Sequence, residues 1–171
     1  MKKNLFLLIS WLMLIPVLSG CNDSDDVAVI FTGKTWKLNY ITVDGGHEMF
    51  DFWGTDQTGR TKSYQELEKK GSYNLVFEGV EEGDKIQGNI NGTVVANFAL
   101  TGKWSANGKN NQFKATVQGN DGGDKLAKNF LEAINNATSY EGDDKNLYLL
   151  YKPKSSKQTF RMVFYPIINN K

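Results

Sequence analysis

The side chains best suited to chemistry are few in this chain, and their spacing limits what they can do. Cys21 is the only thiol and His47 the only imidazole in 171 residues. One thiol makes no internal disulfide and no thiolate zinc site, and the domain that follows it has no cysteine nucleophile, which leaves Cys21 to covalent modification. His47 lies in Asp44-Gly45-Gly46-His47-Glu48. Hydroxyl nucleophiles usually need such a base, but no Gly-x-Ser-x-Gly elbow accompanies it, and a His-Glu pair without a second histidine lacks the ligand spacing of zinc enzymes. We read His47 as a loop residue, and the sequence assigns no catalytic group, metal ligand or cofactor.

Carboxylates cluster at Glu81-Glu82-Gly83-Asp84, at 121–124 and at Glu141-Gly142-Asp143-Asp144. Calcium takes oxygen ligands, yet none of the three runs has the twelve-residue EF-hand spacing, so each is read as a solvated turn. Whether two carboxylates meet closely enough for glycosidic cleavage is a matter of distance that a sequence does not encode. Gly122-Gly123 lacks the Gly-x-x-x-x-Gly-Lys-Ser/Thr spacing that cradles phosphate. The segment richest in binding chemistry is Asp44 to Gly71, far longer than the ~2–5 residues of a hairpin loop. Phe50, Phe52 and Trp53 stand there beside Asp51 and Arg60. Such a mixture stacks a sugar ring, holds a small apolar ligand or anchors a partner protein, and the same aromatics also serve to cap one end of a barrel. These five residues are the candidate ligand- or partner-binding set.

Three features define the first twenty residues: Lys2 and Lys3, an apolar run from Leu5 to Leu14, and small residues at the end. That is the pattern of a secretory signal. Ser10 and Pro16 interrupt the apolar stretch, which falls short of the ~20 residues needed to span a bilayer. Directly behind it, Leu18-Ser19-Gly20-Cys21 resembles the lipobox of bacterial lipoproteins. The resemblance implies a diacylglyceryl thioether on Cys21, cleavage before it, and a membrane partner held through this lipid anchor. Two or three long chains at ~0.8 kcal/mol per buried methylene hold such a protein to the bilayer. The polar run Asn22-Asp23-Ser24-Asp25-Asp26 is read as a tether. It also resembles the acidic export signal of surface lipoproteins, which implies a cell-envelope location at the outer membrane, facing either the periplasm or the exterior. The organisation is therefore a signal peptide over 1–20, a lipidated cysteine and acidic tether over 21–26, and one β-rich domain over 27–171.

The chain has 20 basic residues, of which Lys2 and Lys3 leave with the signal, so 18 face 19 acidic ones in the mature protein. That balance argues against nucleic acid as a partner. Trp36, Leu38 and Tyr40 alternate with Lys37 and Asn39, and the same period recurs at Tyr73-Leu75-Phe77, Phe98 to Trp104, Phe113-Ala115-Val117 and Phe160-Met162-Phe164. This predicts antiparallel strands with one covered face, and the apolar run Leu147 to Tyr151 predicts a central strand. Asn91-Gly92 and Asn107-Gly108 are read as hairpin tips. Leu126, Phe130 and Ile134 recur at helical spacing and predict an amphipathic helix over about 124–135. Ser63-x-x-Glu66 reads as a capping box opening a short surface helix over about 63–70. The predicted fold is mainly β: an antiparallel sheet or small lipocalin-like barrel of six to eight strands with these two helices.

Thr35-Trp36-Lys37-Leu38, the Tyr73 to Glu78 strand, the run from Ile86-Gln87-Gly88 to Gly102-Lys103-Trp104, the amphipathic helix and Leu147-Tyr148-Leu149 follow one another in an order that resembles the META-domain lipoproteins. That family is lipocalin-like in shape and is associated with envelope stress and protein quality. Uncharacterised small lipoproteins of anaerobic Gram-negative bacteria are a second resemblance, and they imply no activity. Three function classes stand at this point. One is a tethered non-catalytic module that binds a glycan, a small apolar ligand or another envelope protein. The others are a carboxylate-dependent enzyme, for example on carbohydrate, and a structural subunit of an envelope complex.

Overall fold

Alternating apolar and polar residues give eight antiparallel strands in the computed structural model, which describes residues 24–95 and 97–167. They are β1 (Thr35–Val43), β2 (Asn74–Glu82), β3 (Lys85–Thr93), β4 (Ala99–Asn107), β5 (Gln112–Gly119), β6 (Ala137–Gly142), β7 (Leu147–Tyr151) and β8 (Phe160–Ile167). Each pairs with the next, and β8 returns to β1, so the sheet closes into a barrel. Among the described residues three helices accompany it: α1 (Ser24–Phe31), α2 (Gln57–Glu68) and α3 (Lys125–Asn136). The weakest seam is β5–β6, paired only at Gln112 and Ser139. There the Asn135 side chain on α3 substitutes for a strand: its Oδ1 accepts from Val117 N–H at 2.8 Å and its Nδ2 donates to Val117 C=O at 3.2 Å.

Antiparallel alternation sorts the connections between two poles. At one pole lie the tight turns after β2, β4 and β6, the end of β8 and the helix α1; we call it the hairpin pole. At the other lie the connections 44–73, 94–98, 120–136 and 152–159, which carry α2 and α3; this is the long-loop pole.

The barrel has no open lumen. Phe31, at the end of α1, is completely buried, with ring centroids 4.7 Å from Trp104, 5.0 Å from Phe77, 5.0 Å from Tyr140 and 5.6 Å from Phe113. Towards the long-loop pole, Phe130 of α3 fills the interior against Tyr73 and Phe164. Burial of Leu126, Ala127, Phe130, Ala133 and Ile134 turns the apolar stripe of α3 onto the barrel.

Several expectations change. Helix α1 starts at Ser24, so residues 24–26 of the expected tether are helical, while Cys21 lies outside the described residues. Asn91-Gly92 is no hairpin tip: both residues sit inside β3, paired with Val76 and Leu75. Gly92 is required there by close packing, since a Cβ would lie 2.0 Å from the Asn74 carbonyl oxygen. Asn107 does lead into the β4–β5 turn, but the left-handed residue is Asn111 at φ 54°, not Gly108. Helix α2 begins at Gln57, not near 63, because Asp56 caps it by accepting from Gly59 N–H at 2.8 Å. Ser63 is therefore an interior residue of that helix. A β-bulge between Leu38 and Tyr40 shifts the inward face of β1 from Tyr40 to Ile41.

The outward face of β1 holds a buried cation. Lys37 is only 2% exposed, its Nζ donates to Ser72 C=O at 2.5 Å, and it lies 5.6 Å from the centre of the Tyr73 ring. Desolvation pushes its ammonium down to about 8 from an ordinary 10.5, and Glu66 opposes the shift. Between these values the unfolded chain holds the proton that the folded chain has lost, so stability rises with pH, by at most about 1.4 kcal/mol per unit. The gain vanishes as pH falls through about 8. Above pH 10 the Tyr73 and Tyr151 hydroxyls, both raised first by burial, oppose it, since the folded chain keeps protons that the unfolded one releases. Urea titrations from pH 7.5 to 9.5 will show the rise in wild type and none in Lys37→Met. At pH 7 that variant will be about 1 kcal/mol more stable, because it removes a desolvated charge.

Candidate functional site

The 44–56 segment is held against the barrel at the long-loop pole. Asp44 N–H donates to Thr159 C=O at 2.9 Å, its carboxylate pairs with Arg161, and Phe50 N–H donates to Ile41 C=O at 2.8 Å. Asp51 then turns the chain, its Oδ1 accepting from the backbone N–H of Trp53 and Gly54 at 3.0 Å each. Since β1 and β8 are neighbours, this loop and the 152–159 connection meet at one rim.

Between them and the outer side of α3 lies a cleft of about 650 Å³. Phe50 and Phe52, 5.1 Å apart, form its apolar wall, and Phe50 meets Phe160 edge-on at 5.0 Å. Phe50 is 40% exposed although it belongs to this packed aromatic group. Asn129, Glu132 and Asn136 present amide and carboxylate groups from α3, and Ser155 and Gln158 face them across the cleft. The chemistry is amphipathic: flat apolar faces beside amide and hydroxyl groups, with Glu132 the only carboxylate and Lys154 the only cation among the lining residues.

The structure thus puts Phe50 and Phe52 on the cleft and leaves the rest of the predicted set outside its lining, although the Trp53 ring meets Phe52 edge-on at 6.0 Å. Trp53 is 4% exposed and structural, its Nε1 donating to Ser63 Oγ at 3.0 Å. Asp51 is consumed by its turn. Arg60 stacks over Tyr64 at 5.8 Å on α2, away from the cleft. Glu132, Asn136 and the 152–159 residues were missed, because only barrel closure places that loop beside Phe50.

A second cleft of about 520 Å³ opens between α2 and the start of α3. Asp56, Glu66 and Asp124 line it, three carboxylates on one cleft. Each is committed to the fold. Asp56 caps α2 and pairs with Lys125 at 3.2 Å; the Gly59 N–H, then Lys125, hold its carboxyl below the usual range. Glu66 pairs with Lys69 and accepts from Ser72 Oγ. Asp124 caps α3, accepting from Ala127 N–H at 2.9 Å, and also receives Ser63 Oγ at 2.7 Å and Tyr73 OH at 2.9 Å. Of the acidic runs, 81–84 and 141–144 occupy the hairpin pole and 121–124 the long-loop pole, so they do not merge into one cluster. Among the described residues no three His, Cys, Asp or Glu side chains gather as a metal site. His47 is an exposed loop residue.

The family described as "Domain of unknown function (DUF4847)" matches residues 22–166, nearly all of the segment that forms the barrel and its helices. The chain belongs to the DUF4847 family. A crystal structure of a DUF4847 family protein from Bacteroides vulgatus ATCC 8482 is similar to this DUF4847 chain at 22% identity with a TM-score of 0.58. The similarity covers 81% of this chain and 96% of that one. At that identity the likeness speaks for a shared fold alone. No curated protein matches the DUF4847 chain.

Proposed function

We propose that this DUF4847 protein is a lipid-anchored component of the cell envelope, held at the outer membrane through Cys21, that acts as a non-catalytic binding module. Its binding surface is the cleft walled by Phe50 and Phe52. The observation that carries this reading is the pairing of a filled barrel with an exposed aromatic, Phe50, beside the half-buried Phe52 at its rim. A lipocalin-like or META-like protein that binds inside its barrel needs an empty lumen, whereas Phe31 and Phe130 occupy this one. Exposed aromatics beside amides fit a glycan or a partner protein better than a buried apolar ligand. Two-carboxylate catalysis is disfavoured, since the cleft has Glu132 alone and the acids of the second cleft are tied to caps and ion pairs.

A photocrosslinker at Ser155, on the rim of the cleft, tests this in intact cells. It will yield a discrete adduct, glycan or protein, that is lost when Phe50 and Phe52 are both replaced by serine. The same crosslinker at Lys114, on the barrel flank, will yield none. A Ser155 adduct that persists in the double variant, or no adduct at all, refutes the cleft as the binding surface.

A further inference from the structure

We propose that the hairpin pole of the barrel is a membrane-apposed surface, lying against lipid headgroups, so that the long-loop pole and its cleft face away from the bilayer. The inference rests on acylation of Cys21, as read above, and adds an orientation from three independent observations.

The first is reach. Cys21 lies three residue steps before Ser24, where α1 begins, and three steps span at most about 11 Å. The barrel strands of eight or nine residues span roughly 25–30 Å. A tether this short does not allow the opposite pole to swing down to the membrane that holds the lipid.

The second is that α1 is fixed. Phe31 plugs the barrel among four rings, Trp36 Nε1 donates to Phe31 C=O, and Lys34 Nζ ties Val29 C=O to Asp144 C=O across the pole. The helix is therefore no loose extension of the tether, and its position dictates that of the whole domain.

The third is the surface itself. The two most exposed large apolar side chains among the described residues are Val80 at 65% and Val29 at 58%. Val29 is on α1, and Val80 is on the part of β2 that runs past the start of β1 at this pole. Lys85, Lys109 and Lys145 stand at or beside the three turns of the same pole among the acidic runs 81–84 and 141–144, and Lys109 pairs with Asp84 at 2.6 Å. Small apolar side chains suit the headgroup region, where apolar groups enter, and with the acidic runs on the same face the apposition is held by the anchor and these apolar contacts rather than by attraction to anionic lipid.

The test uses the full, acylated protein in vesicles of phosphatidylethanolamine and phosphatidylglycerol that carry a nitroxide quencher at the headgroup. Acylation consumes the only native thiol, so a fluorophore on Lys109→Cys reports the hairpin pole and one on Lys157→Cys the long-loop pole. Quenching will be several-fold stronger at 109 than at 157. Equal quenching, or stronger quenching at 157, overturns the orientation. The mass of the amino-terminal peptide, measured on the same samples, separates the two ideas. An unmodified Cys21 sinks the anchor and the orientation with it, whereas an acylated Cys21 with reversed quenching sinks the orientation alone.

Discussion

Asp124→Ala will lower the unfolding free energy by about 3–5 kcal/mol, read as a shift of the urea midpoint. Three losses combine. The cap of α3 contributes about 1 kcal/mol. The Ser63 and Tyr73 hydroxyls, both on buried residues, lose their shared acceptor, at about 1–3 kcal/mol each when a donor is left unpaired. Because these groups form one network, the sum is not strictly additive. Tyr73 raises the stakes: it is fully buried at φ 49°, a conformation that a non-glycine residue keeps only when its surroundings enforce it. Its N–H donates to Val94 C=O at 2.7 Å and its C=O accepts from Leu38 N–H at 2.9 Å, so the Asp124 contact is the third point fixing it. Asp124→Asn keeps an oxygen acceptor and will lose markedly less. A loss below about 1 kcal/mol for alanine would show that the network does not hold α2, α3 and Trp53 together, and the support behind the Phe50–Phe52 wall would need another source.

The second large effect is at the hairpin pole. Phe31→Ala will cost about 3–5 kcal/mol, the range for removing a buried phenyl group. The residue sits among Phe77, Trp104, Phe113 and Tyr140, so truncation opens a cavity that the rigid barrel wall closes only partly. Loss of this plug also frees α1, and its amide protons will exchange at rates near those of an unfolded segment. Val29→Ala, on the exposed side of the same helix, is the control and will change stability by less than about 0.5 kcal/mol. Comparable losses for the two variants would contradict the plugged interior. Such an interior also underlies the choice of a rim cleft over a lumen as the binding surface.

The strands and the amphipathic helix were legible because side-chain periodicity is a local property: Leu126, Phe130 and Ile134 point one way in any helix that contains them. Features that depended on what lies across a strand pair were not. Gly92 reads as a turn former until Asn74 C=O is placed beside it, and Ser63 reads as a cap until Asp56 is seen to hold that role two turns earlier. The bulge after Leu38 breaks the period of two, so the alternation points Tyr40 inward where the barrel buries Ile41. Of the candidate site, aromatic composition pointed to Phe50, Phe52 and Trp53 together, and the first two lie on the cleft. It did not distinguish them from Trp53, whose indole N–H is satisfied by a serine from another element.

The sequence alone determined the class of the fold and the concentration of aromatics in one long connection, because these follow from composition and local spacing. Tertiary structure decided that the barrel is filled, that its amino-terminal helix is a plug, and that the 44–56 and 152–159 loops share one rim. Those outcomes rest on closure between β1 and β8, a contact between the two ends of the chain to which no local pattern points.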